Sequence, residues 1–372
     1  MDWKKLSVLI TGGTGSFGQK FVEFLLRESP PRRIIIFSRD EFKQMEMRQR
    51  FPDTLDSPLR YFIGDVRDKE RLFRAFRGVD VVVHAAALKQ VPTAEYNPFE
   101  AVKTNVFGAQ NVIDAAIDCG VEKVVALSTD KAVNPVNIYG ATKLCAEKIF
   151  IQGNAYSGDG GPKFSCVRYG NVLGSRGSVL PLFNDQKKTG KITITDKRMT
   201  RFWITLDDAV ELVIKAFWHM EGGEVFVPKI PSMRVIDLAK AIAPHCEIKV
   251  IGIRPGEKLH EVLVTEEEGR NTVTYDGKYV ILPNLSYWKR RKYKNSHKVP
   301  EGFIYTSDKN NEWLTIEDLR RIVYDSSLCK EDSASSLLST IHKLNEKIVL
   351  DMIDSEERPR STELTAQSGD NR

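Results

Sequence analysis

The 372-residue sequence has few cysteines, and none of them lie close together. The five are Cys119, Cys145, Cys166, Cys246 and Cys329. Their spacing matches neither a disulfide framework nor a set of metal ligands, which is typical of proteins from a reducing compartment. The sequence therefore predicts a cytoplasmic protein without a metal centre.

Long apolar segments are also missing. No apolar run approaches the roughly 20 residues that a helix needs to cross a bilayer, so we expect no membrane partner. Residues 1–5 lead directly into a strand-like segment, and we expect no signal peptide. With 41% apolar residues, the chain should form one substantial core with an appended domain.

Neither sign of charge dominates, because 55 basic residues are interspersed with 50 acidic ones. The only dense basic run, KRRKYK at 289–294, is interpreted as a solvated loop. We therefore predict no nucleic-acid partner. The small excess of positive charge suits an anionic small molecule without proving one.

A dinucleotide-binding pattern lies near the start of the chain. Residues 7–10 form a short apolar strand, TGGTGSFG follows at 11–18, and an apolar-periodic helix runs to about Leu26. Such glycines allow a tight turn and a close approach to a pyrophosphate, and the helix start offers unpaired amides. The predicted cofactor contacts in this loop are Gly12, Thr14, Gly15, Ser16, Phe17 and Gly18.

The residues after the second strand bear on the choice of dinucleotide. This strand, 33–38, ends at Ser38 and is followed by Arg39, Asp40 and Lys43. Arg39 and Lys43 could hold a 2′-phosphate, which favours NADP with Ser38, Arg39 and Lys43 as contacts. The alternative is a solvated charged loop in which Asp40 holds the ribose and the cations are incidental.

Two later strands should complete the cofactor site. The strand at 61–66 ends at an aspartate placed to meet an adenine edge, and the strand at 81–87 ends in small residues that let the chain pass close to a flat cofactor. His84, inside this apolar run, is interpreted as a hydrogen-bonded core residue. The predicted contacts here are Asp65, Val66, Ala85, Ala86 and Thr104.

Tyr139 and Lys143 are spaced for redox-assisted proton chemistry. At i and i+4 they share one face of a helix, where an ammonium can lower the pKa of a phenol. A phenolate could then remove a hydroxyl proton while hydride leaves the same carbon. The pattern alone also fits an ordinary amphipathic helix. Asp130 and Lys131 follow a buried strand, at the sheet edge where open α/β folds bind ligands.

Longer blocks resemble the extended short-chain dehydrogenase/reductase family of nucleotide-sugar enzymes, and within it the inverting UDP-N-acetylglucosamine 4,6-dehydratases of flagellin and capsule sugar pathways. The resemblance covers about residues 5–325. The blocks are AALKQVP (86–92), EYNP (95–98), STDKA (128–132), VRYGNV (167–172), ITDKRMTRFWI (194–204) and GIRPGEKLHE (252–261). The expected partners are a UDP-sugar substrate and further copies of the same chain.

The resemblance also implies a set of substrate contacts that composition could not reveal. Arg201 and Arg254 would pair with the diphosphate, and Glu257 would accept a hydrogen bond from a ribose or uracil donor. The full set is Lys89, Asn171, Thr195, Arg201, Arg254 and Glu257.

The predicted catalytic residues are Tyr139, Lys143, Lys131 and Asp130. Tyr139 would take the C4 hydroxyl proton while hydride passes to NADP+, and the resulting ketone would acidify the C5 hydrogen. Lys131, with its pKa lowered by burial and by Lys143, would remove that hydrogen as a proton, while a protonated Asp130 would assist loss of the C6 hydroxyl. The resemblance implies reprotonation of C5 from the opposite face, giving an L-configured 4-keto-6-deoxy sugar.

Position 131 separates this hypothesis from related ones. Retaining sugar dehydratases resemble this layout but carry Asp followed by Glu, and nucleotide-sugar C4 epimerases usually keep small polar residues there. Both activities remain alternatives, as do an exposed ion pair between Asp130 and Lys131 and an NADP-sensing regulator on the same fold.

The alternation of strands and helices predicts an α/β protein, with a Rossmann-type doubly wound parallel sheet and a smaller, partly discontinuous substrate-binding domain. Residues 1–170 would form the NADP-binding domain, with 203–227 returning to it. Residues 171–202 and 228–325 would form the substrate-binding region.

The chain beyond this region is predicted to be an extension without a catalytic role. Residues 326–372 become polar and serine-rich, with apolar residues at helical spacing between 337 and 352. We therefore expect one more amphipathic helix there, followed by disorder from about residue 355.

Overall fold

The apolar segments of the sequence form strands, and most segments between them form helices. The computed structural model describes residues 2–174, 179–284, 293 and 295–328. The strands are β1 (Ser7–Thr11), β2 (Arg33–Ser38), β3 (Leu59–Ile63), β4 (Val81–His84), β5 (Lys123–Thr129), β6 (Lys163–Tyr169), β7 (Asn171–Val172), β8 (Lys191–Ile194), β9 (Thr200–Ile204), β10 (Val225–Pro228), β11 (Ser232–Arg234), β12 (Glu247–Val250), β13 (Val262–Val264), β14 (Thr272–Tyr275), β15 (Lys278–Ile281), β16 (His297–Lys298) and β17 (Tyr305–Thr306).

The helices include several short ones near the cleft. The α-helices are α1 (Ser16–Glu28), α2 (Glu41–Arg50), α3 (Lys69–Phe76), α4 (Val91–Tyr96), α5 (Pro98–Val102), α6 (Gly108–Asp118), α7 (Ile138–Ser157), α8 (Val179–Lys187), α9 (Leu206–His219), α10 (Val235–Ile242), α11 (Glu266–Gly269) and α12 (Ile316–Leu328). Two 3-10 turns, Trp3–Lys5 and Asp130–Ala132, and a π-helical turn, Lys103–Phe107, complete the helical elements of the described residues.

One sheet of ten strands dominates the described part of the chain, in the order β16-β14-β15-β10-β6-β5-β4-β1-β2-β3. The strands from β3 to β10 in this order pair in parallel, and the other three add antiparallel. The run β3-β2-β1-β4-β5-β6 is the order of a Rossmann fold. The predicted α/β class with a doubly wound parallel sheet is confirmed.

Helices cover both faces of the central strands. Successive residues of a strand point to opposite faces, and Val8, Leu9 and Ile10 of β1 are all fully buried. This is the expected state of a parallel sheet, whose crossover helices pack on both faces. Helix α1 packs against α9, and α6 packs against α3 and α7. The loops at the carboxyl ends of the strands remain available for a ligand site.

A second apolar cluster lies outside the main sheet. It includes Phe183 of α8, Ile192 of β8, Trp203 of β9, Leu238 of α10 and Leu319 of α12. Two small sheets, in the orders β11-β9-β7 and β12-β8, contribute residues to it, and a third small sheet pairs β13 with β17. These elements come mainly from the region predicted to bind the substrate.

The segment 228–325 does not belong to this cluster alone, because β14, β15 and β16 extend the main sheet. Strands β14 and β15 form a hairpin in which Tyr275 pairs with Lys278. Its two turn residues, Asp276 and Gly277, both have positive φ, as the twist of a two-residue hairpin requires. The division of the chain into a cofactor domain and a substrate domain stays a prediction.

Some predictions lie outside the described residues. They concern most of the basic run at 289–294, the helix at 337–352 and the segment after residue 355. Among the residues that the structure does describe, no helix has the length and apolar content to cross a membrane.

Candidate active site

A cleft of about 590 Å³ opens where the parallel strands end. Its walls include the residues that follow β1, β2 and β4 and the ends of β5 and β6. Open α/β sheets bind ligands at this edge, where the strand order reverses between β1 and β4. Every residue that the sequence predicted to contact the cofactor lines this cleft. Their roles there stay predictions.

The glycine turn after β1 is shaped for close approach of backbone to ligand. Gly12 has φ +67°, and a Cβ at this position would lie 2.9 Å from the Cα of Ala86. The N-cap of α1 is Gly15, which has no side chain to cap the helix. The helix start therefore directs its backbone amides toward the cleft, where they can bind an anion. Thr104 Oγ1 is buried in the cleft wall without a hydrogen-bond partner among the described residues. This cradle fits a dinucleotide.

The charged residues after β2 are arranged in pairs. Asp40 caps α2 by accepting a hydrogen bond from the amide of Lys43 at 3.0 Å, and its Oδ2 lies 2.7 Å from Lys43 Nζ. These bonds to Lys43 lower the pKa of Asp40. Arg39 Nη1 lies 3.5 Å from Asp65 Oδ2, with the Arg39 side chain 53% exposed. Arg39, Asp40 and Lys43 all line the cleft, and each of the two cations is paired with a carboxylate there.

Tyr139 and Lys143 lie on the first turns of α7, and both line the cleft. The side chain of Asn137 caps this helix by accepting from the amide of Gly140 at 2.7 Å. Lys143 Nζ donates to the carbonyl oxygen of Leu127 at 2.6 Å. The sequence thus placed the two side chains in one site, as the i, i+4 spacing predicts.

The predicted pKa of Tyr139 is wrong in direction. Burial raises the pKa of Tyr139, and the charge of Lys131 opposes this rise. Lys143 is not among the groups that affect the pKa of Tyr139, and burial lowers the pKa of its own ammonium. The cation that favours a phenolate at Tyr139 is therefore Lys131, which comes from the turn after β5.

Asp130 and Lys131 form an ion pair at the back of the cleft. Lys131 Nζ lies 2.9 Å from Asp130 Oδ1 and 3.5 Å from Glu261 Oε1. Lys131 lines the cleft, whereas Asp130 is fully buried behind it. The interpretation of an exposed loop ion pair is therefore wrong.

The two members of this pair differ in how their surroundings affect protonation. Burial alone would lower the pKa of Lys131, but the charges of Asp130 and Glu261 outweigh it and raise that pKa above the ordinary value. The expected lowering by burial and Lys143 is therefore wrong. Burial, together with Glu261, raises the pKa of Asp130 against the opposing charge of Lys131. This is the direction that the proposed acid requires, and a protonated Asp130 stays a prediction.

A glycine sets the distance between α7 and the turn that carries Lys131. A Cβ on Gly140 would overlap the carbonyl oxygen of Lys131. The helix and the turn are therefore in direct backbone contact, and this contact brings Tyr139 and Lys131 to the same wall of the cleft.

The predicted substrate contacts are only partly brought together. Lys89 and Asn171 line the cleft, and Thr195, Arg201, Arg254 and Glu257 do not. Arg201 is buried, and it donates to the carbonyl oxygens of Thr200 at 2.7 Å and Lys258 at 3.0 Å.

The other predicted contacts also have partners within the protein. Thr195 is buried and donates to the Sδ of Met199 at 3.2 Å. Arg254 is exposed, and its amide donates to Glu257 Oε2 at 3.3 Å.

Sequence reasoning missed three residues of this site. Thr129 donates to Asp130 Oδ1 at 2.9 Å. A hydrogen bond between Thr129 and Tyr139 also opposes the rise in the pKa of Tyr139. Glu261 pairs with Lys131, and Lys258 Nζ donates to the carbonyl oxygen of Val133 at 2.5 Å. Glu261 and Lys258 lie inside the block 252–261 that carried the resemblance, which was the only available signal for them.

A parallel sheet in this strand order, with a tyrosine and a lysine four residues apart at its cleft, is the arrangement of the short-chain dehydrogenases and reductases. The chain belongs to the polysaccharide biosynthesis protein family, whose model matches residues 8–283.

Similar proteins carry two different enzyme names. A Campylobacter jejuni protein named UDP-N-acetylglucosamine 4,6-dehydratase (inverting) is 50% identical over 331 residues, covering 86% of this chain and 98% of that protein. The predicted resemblance is thereby confirmed. A Rickettsia conorii protein named UDP-glucose 4-epimerase is 48% identical over 337 residues, covering 88% and 97%.

A solved structure is also similar to this chain in both fold and sequence. The X-ray structure of Pen from Bacillus thuringiensis matches with a TM-score of 0.81 and 40% sequence identity, covering 88% of this chain and 100% of that chain.

Proposed function

We propose that the protein removes water from UDP-N-acetylglucosamine across C4 to C6 and inverts C5. The product is UDP-2-acetamido-2,6-dideoxy-β-L-arabino-hex-4-ulose, a precursor for bacterial surface or flagellin sugars. The observation that carries this proposal is Lys131, which lies at the wall of the cleft with Asp130 2.9 Å behind it. The 50% identity to a protein named for this reaction supports it.

The cofactor proposed for the cleft is NADP. When bound, it accepts hydride from C4 of the sugar and later returns it to C6. Arg39 and Lys43 would hold the 2′-phosphate, since both line the cleft and remain partly exposed. Asp40, the candidate for binding the ribose of NAD, is occupied by Lys43 and by the start of α2.

Tyr139 would remove the C4 hydroxyl proton. Its phenol lies in the cleft wall, and the positive charge of Lys131 favours the ionised form that can act as a base. Lys143, anchored to the carbonyl oxygen of Leu127, would position the ribose and the nicotinamide beside Tyr139.

Lys131 and Asp130, together called the acid–base pair, would carry out the elimination. Lys131 in its neutral form would take the C5 proton, and Asp130 would give a proton to the departing C6 hydroxyl, which leaves as water. The proton would reach Asp130 on Oδ1, which lies 2.9 Å from Lys131 Nζ. Return of the hydride to C6 and addition of a proton from solvent to the opposite face of C5 would complete the inversion.

Two other reactions fit the same fold. A retaining 4,6-dehydratase would preserve the configuration at C5, and a C4 epimerase would keep the C6 hydroxyl. The epimerase deserves a direct test because a protein with that name is 48% identical to this chain. Asp130 and Lys131 favour dehydration over epimerisation, since inversion of C4 alone requires no acid at C6.

One experiment separates the three reactions. The protein is incubated with UDP-N-acetylglucosamine and NADP+ in D2O, and the product is analysed by proton NMR. We expect a C6 methyl signal, deuterium at C5 and coupling constants of the L-arabino configuration, with no net consumption of NADP+. A D-configured 4-keto product would indicate the retaining enzyme, and UDP-N-acetylgalactosamine would indicate the epimerase. Absence of turnover with every UDP-sugar tested would refute the enzymatic proposal.

The remaining assignments are proposals of the same kind. Substrate binding by residues 171–202 and 228–325, a cytoplasmic location and assembly into a homo-oligomer all fit a sugar-nucleotide enzyme. Sedimentation analysis of the full chain measures the oligomeric state directly.

A further inference from the structure

Lys131 lies between two buried carboxylates, although the proposed reaction uses only one of them. Its Nζ is 2.9 Å from Asp130 Oδ1 and 3.5 Å from Glu261 Oε1, and these carboxylate side chains are 0% and 3% exposed. Removing a carboxylate from water is costly, and the cost must be balanced by partners. The position of Glu261 therefore calls for a functional explanation.

Glu261 is held in place independently of Lys131. Its amide donates to Ser307 Oγ at 2.8 Å, and its carbonyl oxygen accepts from the amide of Ser307 at 2.8 Å. Ser307 Oγ is also 2.7 Å from Thr200 Oγ1. Glu261 thus presents its charge to Lys131 from a fixed backbone position.

The charged and titratable groups that face the acid–base pair come from several elements. The 3-10 turn that carries the pair packs against α7 and β13. Arg201 of β9 has its Nε 3.6 Å from Glu261 Oε1, and Lys258 has its Nζ 3.5 Å from Glu261 Oε2. Tyr139 of α7 completes the set. Glu261 is the member of this group that contacts Lys131 with a negative charge.

The proposed elimination needs a neutral amine and a neutral carboxylic acid at the same moment. Together these two forms hold the same number of protons as an ammonium beside a carboxylate. One proton transfer across the 2.9 Å hydrogen bond interconverts them, because an N–H bond of Lys131 breaks while an O–H bond of Asp130 forms. Elimination restores the ion pair, since Lys131 gains the C5 proton and Asp130 loses its own to water.

We propose that Glu261 is a positioning residue that keeps this shared proton within the acid–base pair. This role rests on the proposed dehydratase function. Glu261 does not touch the sugar in this scheme. Its negative charge raises the proton affinity of both members, and so opposes loss of the shared proton from the pair to solvent.

The direction of the effect follows from the charges. Glu261 raises the pKa of Asp130 and also raises the pKa of Lys131. The one-proton form of the pair exists between its two macroscopic pKa values, which appear as the two limbs of a bell-shaped rate profile. Both limbs should therefore lie at higher pH when residue 261 carries a negative charge.

The test is the pH dependence of kcat in Glu261→Gln. We expect both limbs to move to lower pH by about 1 unit or more, the usual effect of one charge at this distance. Glu261→Asp, which keeps the charge, should restore both limbs toward the wild-type positions. Glu266→Gln, which removes an exposed charge from α11, is the matched control and should leave them in place. A lower rate with unmoved limbs in Glu261→Gln would show a purely structural role and overturn the proposal.

A second measurement does not depend on turnover. NMR titration of 13Cε-labelled lysines in the resting protein reports the amine of Lys131, which Lys131→Arg assigns. We expect Glu261→Gln to lower its pKa, and an unchanged titration would refute the role of Glu261 even if the dehydratase activity is found. A lowered pKa without turnover of any UDP-sugar would instead refute the proposed function alone. If Glu261→Gln does not fold, Glu261→Met, which removes the same charge with a side chain of similar length, takes its place in both measurements.

Discussion

Replacing Lys131 by alanine removes the amine proposed to take the C5 proton. A positioned general base contributes roughly 10²- to 10⁴-fold to a rate. We therefore expect exchange of the C5 hydrogen with D2O to fall by about 10³-fold or more. Lys131 is not among the residues predicted to contact the cofactor, so NADP binding should be retained.

The same substitution changes the stability of the folded protein in a pH-dependent way. Asp130 is fully buried and loses the cation that lies 2.9 Å away. Breaking a buried pair costs roughly 3–5 kcal/mol when the remaining group stays charged. Because burial and Glu261 already raise the pKa of Asp130, the carboxyl group can take up a proton instead. A carboxyl whose pKa is higher in the folded than in the unfolded state destabilises the fold increasingly as pH rises.

The assay combines three measurements on Lys131→Ala and on the wild type. Proton NMR in D2O follows C5 exchange, NADPH fluorescence follows cofactor binding, and thermal unfolding at several pH values follows stability. The loss of stability should be smaller at pH 5 than at pH 8. Tyr139→Phe is the companion variant, because it should block oxidation at C4 as well as the later exchange. C5 exchange at a rate near that of the wild type in Lys131→Ala would refute the assignment of the base.

Three further substitutions test other parts of the structure. Gly12→Ala should lower the free energy of unfolding by roughly 1–3 kcal/mol in denaturant titrations, because φ is +67° and the added Cβ meets the backbone of Ala86. Arg39→Ala should weaken NADP binding by about 10-fold in calorimetry, the worth of one charge-assisted bond, and leave NAD binding nearly unchanged; equal losses for both would contradict the 2′-phosphate contact. Glu147→Gln removes one of the two carboxylates paired with Arg168, and because Glu268 remains 2.8 Å away it should cost less than the roughly 3–5 kcal/mol of an unpaired buried charge at neutral pH. Burial would raise the pKa of Glu147, but Arg168 outweighs it and lowers that pKa below 4.5. In chemical denaturation, the difference in free energy of unfolding between wild type and variant should therefore be complete above pH 4.5. It should vanish as the pH falls through the lowered pKa of the folded state.

The cofactor cradle could be predicted because its determinants are local. The strand, the glycine turn and the start of α1 occupy one continuous segment, and Gly12 needs only its neighbours and Ala86 to be understood. Likewise, the i, i+4 spacing alone places Tyr139 and Lys143 on one helical face. His84 also agrees with its interpretation, since its Nδ1 lies 2.8 Å from Thr11 Oγ1 in the buried sheet.

The electrostatics of the site could not be predicted because they depend on residues far apart in the chain. The sequence indicated a buried Lys131, which by itself predicts a lowered pKa. It did not indicate that Glu261 would pack beside Lys131 and reverse that direction. Arg201 illustrates the same limit: its positive charge suggested a diphosphate contact, whereas the folded chain directs it to carbonyl oxygens and to Glu261.

The absence of a side chain at Gly140 links the two halves of the reaction. In the proposed reaction, oxidation of the sugar would depend on helix α7 and elimination on the turn that carries Lys131, and the backbones of these two elements are in contact. Any larger residue at that point would push them apart, so the ring could not meet the tyrosine and the amine in one bound pose. Changing the oxidation step without affecting the elimination step would therefore require a redesigned contact between α7 and the turn at Gly140.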